Sequence, residues 1–197
     1  MLKLKNVKPE IRIIGWDDAP FASGGGRTLA VGVVCRGGCR MDGVMTTSIE
    51  VNGNDATAKL ADAVNLSRHR DQARVIMLDG VTMGGFNVVN IKRLSSLTGM
   101  PVIAVIDRMP SMAGIRKAIM KFPDGNEKMK AIKAAGKVRE MKIKRNDGSR
   151  GKMYYQASGT DAGTAVRLIR ASAVFSDSPE PLRLAHLICA GFREVKT

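Results

Sequence analysis

Four aspartates carry the chemistry most legible in this sequence. Asp17 and Asp18 end or follow the apolar run Ile11 to Asp17 (IRIIGWD), Asp55 opens a helical pattern, and Asp79 closes the run Arg74 to Asp79 (RVIMLD). Carboxylates brought together repel unless a cation joins them, and hard oxygen ligands suit Mg2+ or Mn2+. Such an ion activates an attacking water and stabilises a leaving oxygen, which is phosphodiester hydrolysis. The candidate catalytic residues are therefore Asp17, Asp79, Asp55 and Asp18, with Asp17, Asp79 and Asp55 as metal ligands. Each also has a plainer role: Asp55 as a helix N-cap, Asp18 before Ala19-Pro20 as a turn residue, and Asp79-Gly80 as a turn dipeptide.

The elements that must position these acids follow from hydrophobic period. Ile11 to Asp17, Thr28 to Arg36 (TLAVGVVCR) and Val44 to Val51 (VMTTSIEV) read as three strands joined by glycine turns, an antiparallel meander. Asp55 precedes Ala56, Leu60, Ala63 and Val64 at helical spacing, and that helix stops near His69. Arg74 to Asp79 and Pro101 to Ile106 read as strands buried on both faces, with a helix over Asn87 to Leu97 between them. Strand, helix, strand in this order demands parallel neighbours and right-handed crossovers. Beyond Arg108 the pattern predicts helices over Met112 to Phe122 and Glu127 to Ala135, then a hairpin of Val138 to Lys144 with Lys152 to Ala157 around Asn146-Asp147-Gly148. Helices over Thr160 to Ala171 and from Pro179-Glu180-Pro181 through Ile188 complete the chain. Three antiparallel strands followed by parallel strands with flanking helices is the order of the ribonuclease H-like α/β fold. In that topology the first strand and the Arg74 to Asp79 strand lie side by side, so Asp17 and Asp79 share one rim.

Charge points to a polyanionic partner. The 197 residues carry 32 Lys and Arg against 18 Asp and Glu, a formal +14. From Arg108 to Lys152 there are 14 basic and 4 acidic residues, so this segment alone supplies +10. A field concentrated in one segment steers a phosphate backbone, and the partner class is nucleic acid, RNA or DNA. The plainer reading is a solvated basic surface. Lys130, Lys133 and Lys137 share one face of the predicted helix and are the candidate contacts. Gly84-Gly85-Phe86-Asn87 lies between Asp79 and the next helix, so Gly84, Gly85 and Asn87 form either a phosphate cradle or a tight turn with an Asn cap.

Other features read as structural. Gly24-Gly25-Gly26-Arg27 lacks P-loop spacing and follows no strand-to-helix junction, so it is a hairpin link. His186, among Leu182, Leu184 and Leu187, reads as a packing histidine, and Trp16 and Tyr154-Tyr155 as core. Cys35, Cys39 and Cys189 show no CxxC spacing and read as free thiols. The longest uncharged stretch, Leu94 to Ile106, has 13 residues and contains Pro101, whereas a bilayer span takes about 20. Met1-Leu2-Lys3-Leu4-Lys5 develops no signal-peptide apolar region. The expectation is a single domain over residues 1–197, in the cytoplasm, with a basic helical and hairpin segment at about 108–157 and no membrane contact. The oligomeric state is open.

The segments GWDDAPF (Gly15 to Phe21), GNDATAKL (Gly53 to Leu60), VIMLDGVTMGGFNVVNI (Val75 to Ile91), PVIAVIDRMP (Pro101 to Pro110) and PEPLRLAHLI (Pro179 to Ile188) together resemble an uncharacterised, mainly archaeal family distantly related to endonuclease V. The resemblance spans nearly the whole chain. It implies a ribonuclease H-like fold and magnesium-dependent cutting of a strand near a deaminated adenine base. The Gly-x-Asp of endonuclease V matches Gly15-Trp16-Asp17, and its Asp-Gly matches Asp79-Gly80. Its Pro-Tyr-Ile-Pro wedge and its Arg-Glu are absent here, Asp55 standing in for that glutamate by position alone. Its His-Pro-Arg is replaced by Gly84-Gly85-Phe86-Asn87. The leading expectation is an endonuclease V-like metal-dependent nuclease or phosphodiesterase acting on nucleic acid. The alternatives are a non-catalytic nucleic-acid-binding or assembly protein that retains the fold, and an enzyme for a small phosphorylated metabolite.

Overall fold

A computed structural model describes residues 7–22, 25–37, 39–144 and 148–192. Met1 to Lys5, Gly24 of the glycine link, Arg145 of the basic segment and Asn146-Asp147 of the predicted turn lie outside the described residues. The chain runs β1 (Arg12–Asp18), β2 (Arg27–Arg36), β3 (Arg40–Glu50), α1 (Ala56–Leu66), β4 (Ala73–Asp79), β5 (Thr82–Met83), β6 (Asn87–Val88), α2 (Ile91–Thr98), β7 (Val102–Ile106), α3 (Met112–Ile119), α4 (Gly125–Ala134), β8 (Arg139–Lys144), β9 (Arg150–Ser158), α5 (Ala162–Ser172) and α6 (Glu180–Gly191).

Seven strands form one sheet in the order β3-β2-β1-β4-β7-β9-β8. β1, β4 and β7 are mutually parallel at its centre, and the remaining pairings are antiparallel. This is the expected α/β architecture: an antiparallel meander, then parallel strands with flanking helices. The β8-β9 hairpin extends the sheet by pairing β9 against β7.

Alternation along the strands assigns each face to a set of helices. Ile14 and Trp16 of β1 and Ile76 and Leu78 of β4 join Leu60 and Val64 of α1 and Leu94 of α2 in one core cluster. Ile13, Val75 and Met77 join Leu168 and Ile169 of α5 and Leu182 of α6 on the opposite face. Because side chains of a strand alternate with period 2, Asp17 and Asp79 belong to the α5/α6 face and Asp18 to the other. Burying strands on both faces requires near-continuous apolar sequence, and VIML of β4 supplies it.

Two expectations are corrected. The helix expected from Asn87 begins at Ile91, where the Asn90 side chain accepts from the Arg93 amide as N-cap. Asn87 instead sits in the small β5-β6 hairpin. Helix α4 stops at Ala134, and Gly136 at φ +84° turns the chain away. Lys137 therefore lies beyond the helix and does not share a helical face with Lys130 and Lys133.

Candidate metal and catalytic site

The parallel register of β1 and β4 pairs Trp16 with Leu78, which sets Asp17 and Asp79 side by side one residue later. Helix α6 lies across β1 on the same face and brings His186. Donor atoms of Asp17, Asp79 and His186 all lie within 4.8 Å of one another, the one such group of three or more His, Cys, Asp or Glu donors among the described residues. His186 Nδ1 stands 2.8 Å from Asp17 Oδ2, and the Asp18 amide donates to Asp17 Oδ1 at 2.9 Å. Both oxygens of Asp17 are thereby oriented. With Nδ1–H donating to the carboxylate, Nε2 keeps its lone pair for a metal or a proton.

The position of His186 depends on how closely α6 seats. A Cβ on Gly15 would overlap the carbonyl carbon of Pro181 and stand 2.7 Å from the amide nitrogen of Leu182, so the first turn of α6 rests on the bare backbone of β1. Glu180 is buried and binds the Arg183 guanidinium through both oxygens, at 3.0 and 2.8 Å. His186 itself is largely exposed and reaches inward only through this seat.

Charge crowding marks the rim. Desolvation, reinforced by the charges of Asp17 and Asp107, pushes the Asp79 carboxyl up to about 6, although part of its surface reaches solvent; His186 opposes the shift. Asp107 follows the end of β7, the third parallel strand, and extends the carboxylate row. Asp18 is also pushed up to about 6, chiefly by burial and then by the charge of Asp17, against a lowering contact from the Gly84 backbone. That contact places Asp18 toward the β5-β6 hairpin, outside the group formed by Asp17, Asp79 and His186.

Asp55 does not join them. Its Oδ1 accepts from the Glu50 amide at 3.0 Å and from Asn87 Nδ2 at 2.7 Å, and Arg27 lies 3.4 Å from Oδ2. Partial burial would raise this carboxyl, but those partners outweigh it and hold it below the usual range. Nor does Asp55 cap α1 through its side chain: Asn87 Oδ1 accepts from the Ala56 amide in its place. Of the two readings of Gly84, Gly85 and Asn87, the structure shows the tight turn. Gly84 and Gly85, at φ +53° and +80°, form the hairpin turn, and Asn87 is fully buried with both ends of its amide bonded.

The residues missed by sequence were His186 and Asp107. His186 flanks the stripe of Leu182, Ala185 and Cys189 that faces the sheet, so its leucine neighbours masked its direction. Asp107 ends a buried apolar run as Asp79 does, and that shared pattern was the available signal.

Two carboxylates and an imidazole fit a divalent ion whose other positions go to water and phosphate. The carboxylates favour Mg2+ or Mn2+, and the imidazole extends the set toward Zn2+ or Fe2+. Exposed Lys130 and Lys133 lie on α4 with exposed Lys137 beyond its end, and exposed Arg116 and Lys117 lie on α3 with exposed Arg108 and Lys121 on either side of it. Beside Gly80 and Ile106 opens a largely apolar cavity of about 640 Å³, walled by Phe86 and Ile115 and floored in part by Gln156. Among the described residues no helix is long and apolar enough to cross a membrane.

Comparison with known proteins places the chain in a family and supports its fold. A family model described as Endonuclease dU matches residues 9–193. A UPF0215 protein of Methanopyrus kandleri is 42% identical over 190 residues, covering 96% of this chain and 95% of its own. The crystal structure of a protein of unknown function from Archaeoglobus fulgidus superposes with TM-score 0.82 at 32% identity, over 93% of this chain and 98% of that one. Ciona intestinalis endonuclease V, crystallised with DNA containing an inosine, has TM-score 0.64 at 11% identity, over 95% and 87% of the two chains. This last likeness is one of fold.

Proposed function

The chain belongs to the Endonuclease dU family, and we propose accordingly that it is a metal-dependent nuclease or phosphodiesterase that cuts a nucleic-acid strand at the rim formed by Asp17, Asp79 and His186. The observation that carries this reading is the meeting of donors from β1, β4 and α6 within 4.8 Å. Mg2+ or Mn2+ bound there supplies Lewis acidity and an activated water. The protein's own residues do the rest. Asp17 fixes the tautomer and direction of His186, leaving Nε2 to ligate or to take a proton. Asp79 acts ionised, so its elevated pKa makes cation binding and deprotonation mutually supportive. Asp18, one residue along on the other face, and Asp55, already balanced by Arg27 and Asn87, support the strand ends. Lys130, Lys133 and the α3 cations hold the phosphate backbone. The membership and the fold of endonuclease V support nucleic acid as substrate, and the inosine-containing DNA of the Ciona complex makes deaminated strands the first to test.

The test is cleavage of RNA and DNA strands containing inosine or uracil, with and without Mg2+ or Mn2+. Wild type should cut only with metal, and Asp79→Asn and His186→Ala should each lose at least about a hundredfold, the scale expected when a positioned electrostatic or acid-base group is removed. Absence of both cleavage and Mg2+-dependent thermal stabilisation would leave the non-catalytic binding protein as the better reading.

A further inference from the structure

The two edges of the sheet are built differently. β8 forms one edge with the sequence REMKIK, in which four of six residues are charged, and charges along an edge discourage pairing with another strand. β3 forms the other edge, and its seven residues from Gly43 to Ile49 (GVMTTSI) carry no charge and include four β-branched side chains. Such an edge is a template for a further strand. The direction of its backbone groups follows from Glu50. The Glu50 amide donates to Asp55 Oδ1 and its carbonyl accepts from Asn87 Nδ2, whereas the next amide, Val51, donates to Gly26 on the β2 side. Groups facing away from β2 recur at every second residue, which adds Ser48, Thr46 and Val44. Arg27 takes the Ser48 carbonyl at 2.7 Å, but no strand of the sheet lies beyond Val44 and Thr46. Apolar surface gathers on the same edge. Leu66, at 87% the most exposed large apolar side chain among the described residues, lines with Ala63 of α1 a groove whose other side is Val44 and Met45 of β3.

We propose that β3 pairs antiparallel with β3 of a second copy of this chain, about a two-fold axis at Met45, so that two seven-stranded sheets become one. The charges at the strand ends select this occupant and this register. Arg40 and Glu50 stand equally far from Met45 on either side, so reversing one copy against the other brings each Arg40 to a Glu50. Both side chains are exposed, and their ion pairs within the chain are long: Arg40 to Asp42 at 3.9 Å and Glu50 to Arg27 at 3.5 Å. In the same register Val44 meets Thr46 of the second copy, outward group against outward group, on both sides of the axis. A slip of one residue would set outward groups against inward ones. With Thr46 at the axis, Asp42 would face Glu50, a like-charge pair, and with Val44 there Arg40 would face Ser48. Asp42, where the pairing of β3 with β2 slips by one residue, ends the regular ladder. The two copies of β1 then run in opposite directions, so their carboxylate rims face opposite ends of the joint sheet and neither copy adds a residue to the other's site. The inference is independent of the nuclease reading.

Sedimentation equilibrium of the full chain in EDTA tests the pairing. Wild type should be a dimer in the micromolar range. Arg40→Glu and Glu50→Arg each set two like-charge pairs across the axis and should each weaken dimerisation by roughly tenfold. The double swap restores opposite charges and should return the dimer to within about threefold of wild type. Met45→Cys in a Cys39→Ser background should cross-link the copies under mild oxidation, because facing residues of an antiparallel pair stand about 4.5–5.5 Å apart. Thr47→Cys in that background, opposite Gly43 of the second copy, should not. Circular dichroism identifies the folded variants, and the cross-link decides the matter should a charge swap not fold. A wild type that stays monomeric throughout the micromolar range overturns the proposal and leaves the edge to an extended segment of a different protein. A dimer untouched by the single swaps, a double swap no tighter than the singles, or folded Met45→Cys that fails to cross-link overturns it as well.

Discussion

Gly15 and Pro181 meet backbone to backbone, and this contact sets the distance between Asp17 and His186. The helix carrying the imidazole runs along the strand carrying the carboxylate, so lifting one end of α6 moves His186 away from its partner. Gly15→Ala should cost roughly 1–3 kcal/mol of stability through overpacking. It should also weaken Mn2+ binding, read by isothermal titration, by tenfold or more in protein that circular dichroism shows to be folded. Unchanged Mn2+ affinity would separate the seat from the site.

The crowded rim makes a prediction about pH. Asp79 and Asp18 are raised from 3.8 to about 6 in the folded chain, so between roughly pH 4 and 6 the native state holds more protons than the unfolded one. Their contribution to stability therefore falls as pH rises through that window, in metal-free protein. Asp79→Asn removes one of these groups. Its melting temperature relative to wild type should be higher at pH 7.5 than at pH 4.5 in EDTA, and added Mg2+ should narrow the gap by stabilising only the wild type. A difference independent of pH would mean that Asp79 is not crowded.

Salt dependence tests the basic flank. Removing one cation that neutralises a phosphate should reduce the slope of log K against log salt by about 0.9 on duplex DNA or 0.7 on single strands. Charge reversal of Lys130, Lys133 and Lys137 should lower affinity alike on all sequences and flatten that slope. Since Lys137 leaves the helix at Gly136, the pair Lys130 and Lys133 alone should retain a measurable share of the effect. An unaltered slope would move the interface to the Arg116, Lys117 and Lys121 side of α3.

Lys128, counted in the basic segment, does different work. Its ammonium is buried and bonded to Gly53 O at 2.7 Å, Asn54 Oδ1 at 2.8 Å and Asp124 Oδ2 at 2.8 Å. Lys128→Met would leave these acceptors without their cation and should destabilise the chain by about 2–4 kcal/mol. Hydrogen exchange should accelerate in α3 and α4 before it does in β1 and β4. Uniform acceleration throughout would deny that Lys128 ties this helical pair to the loop before α1.

What the sequence made legible was set by local period. The run ending at Asp79 had to be a central strand, and the meander before it had to place Asp17 on a neighbouring strand. The partners of those acids were less legible, because they depend on the approach of one element to another. His186 sits among leucines, and only the seating of α6 on Gly15 shows that it faces Asp17. Asn87 carries the composition of a cap and does serve a helix, but it reaches α1 from a hairpin 31 residues further along the chain. Asp55 occupies the expected position before α1, yet its carboxylate turns back to Glu50 and Asn87.

The separation of Asp17 and His186 by 169 residues also orders events during synthesis. On a ribosome, β1, β4 and β7 are all made before α6 exists. A growing chain can thus assemble the carboxylate row while the apolar strip of Val31, Val33 and Cys35, which α6 covers, is still bare. The imidazole arrives with the helix that closes that strip, so completing the site and sealing this side of the core are one late event. A chain interrupted before α6 would hold the acids without the histidine, and a sticky face that marks it for the cell's quality control.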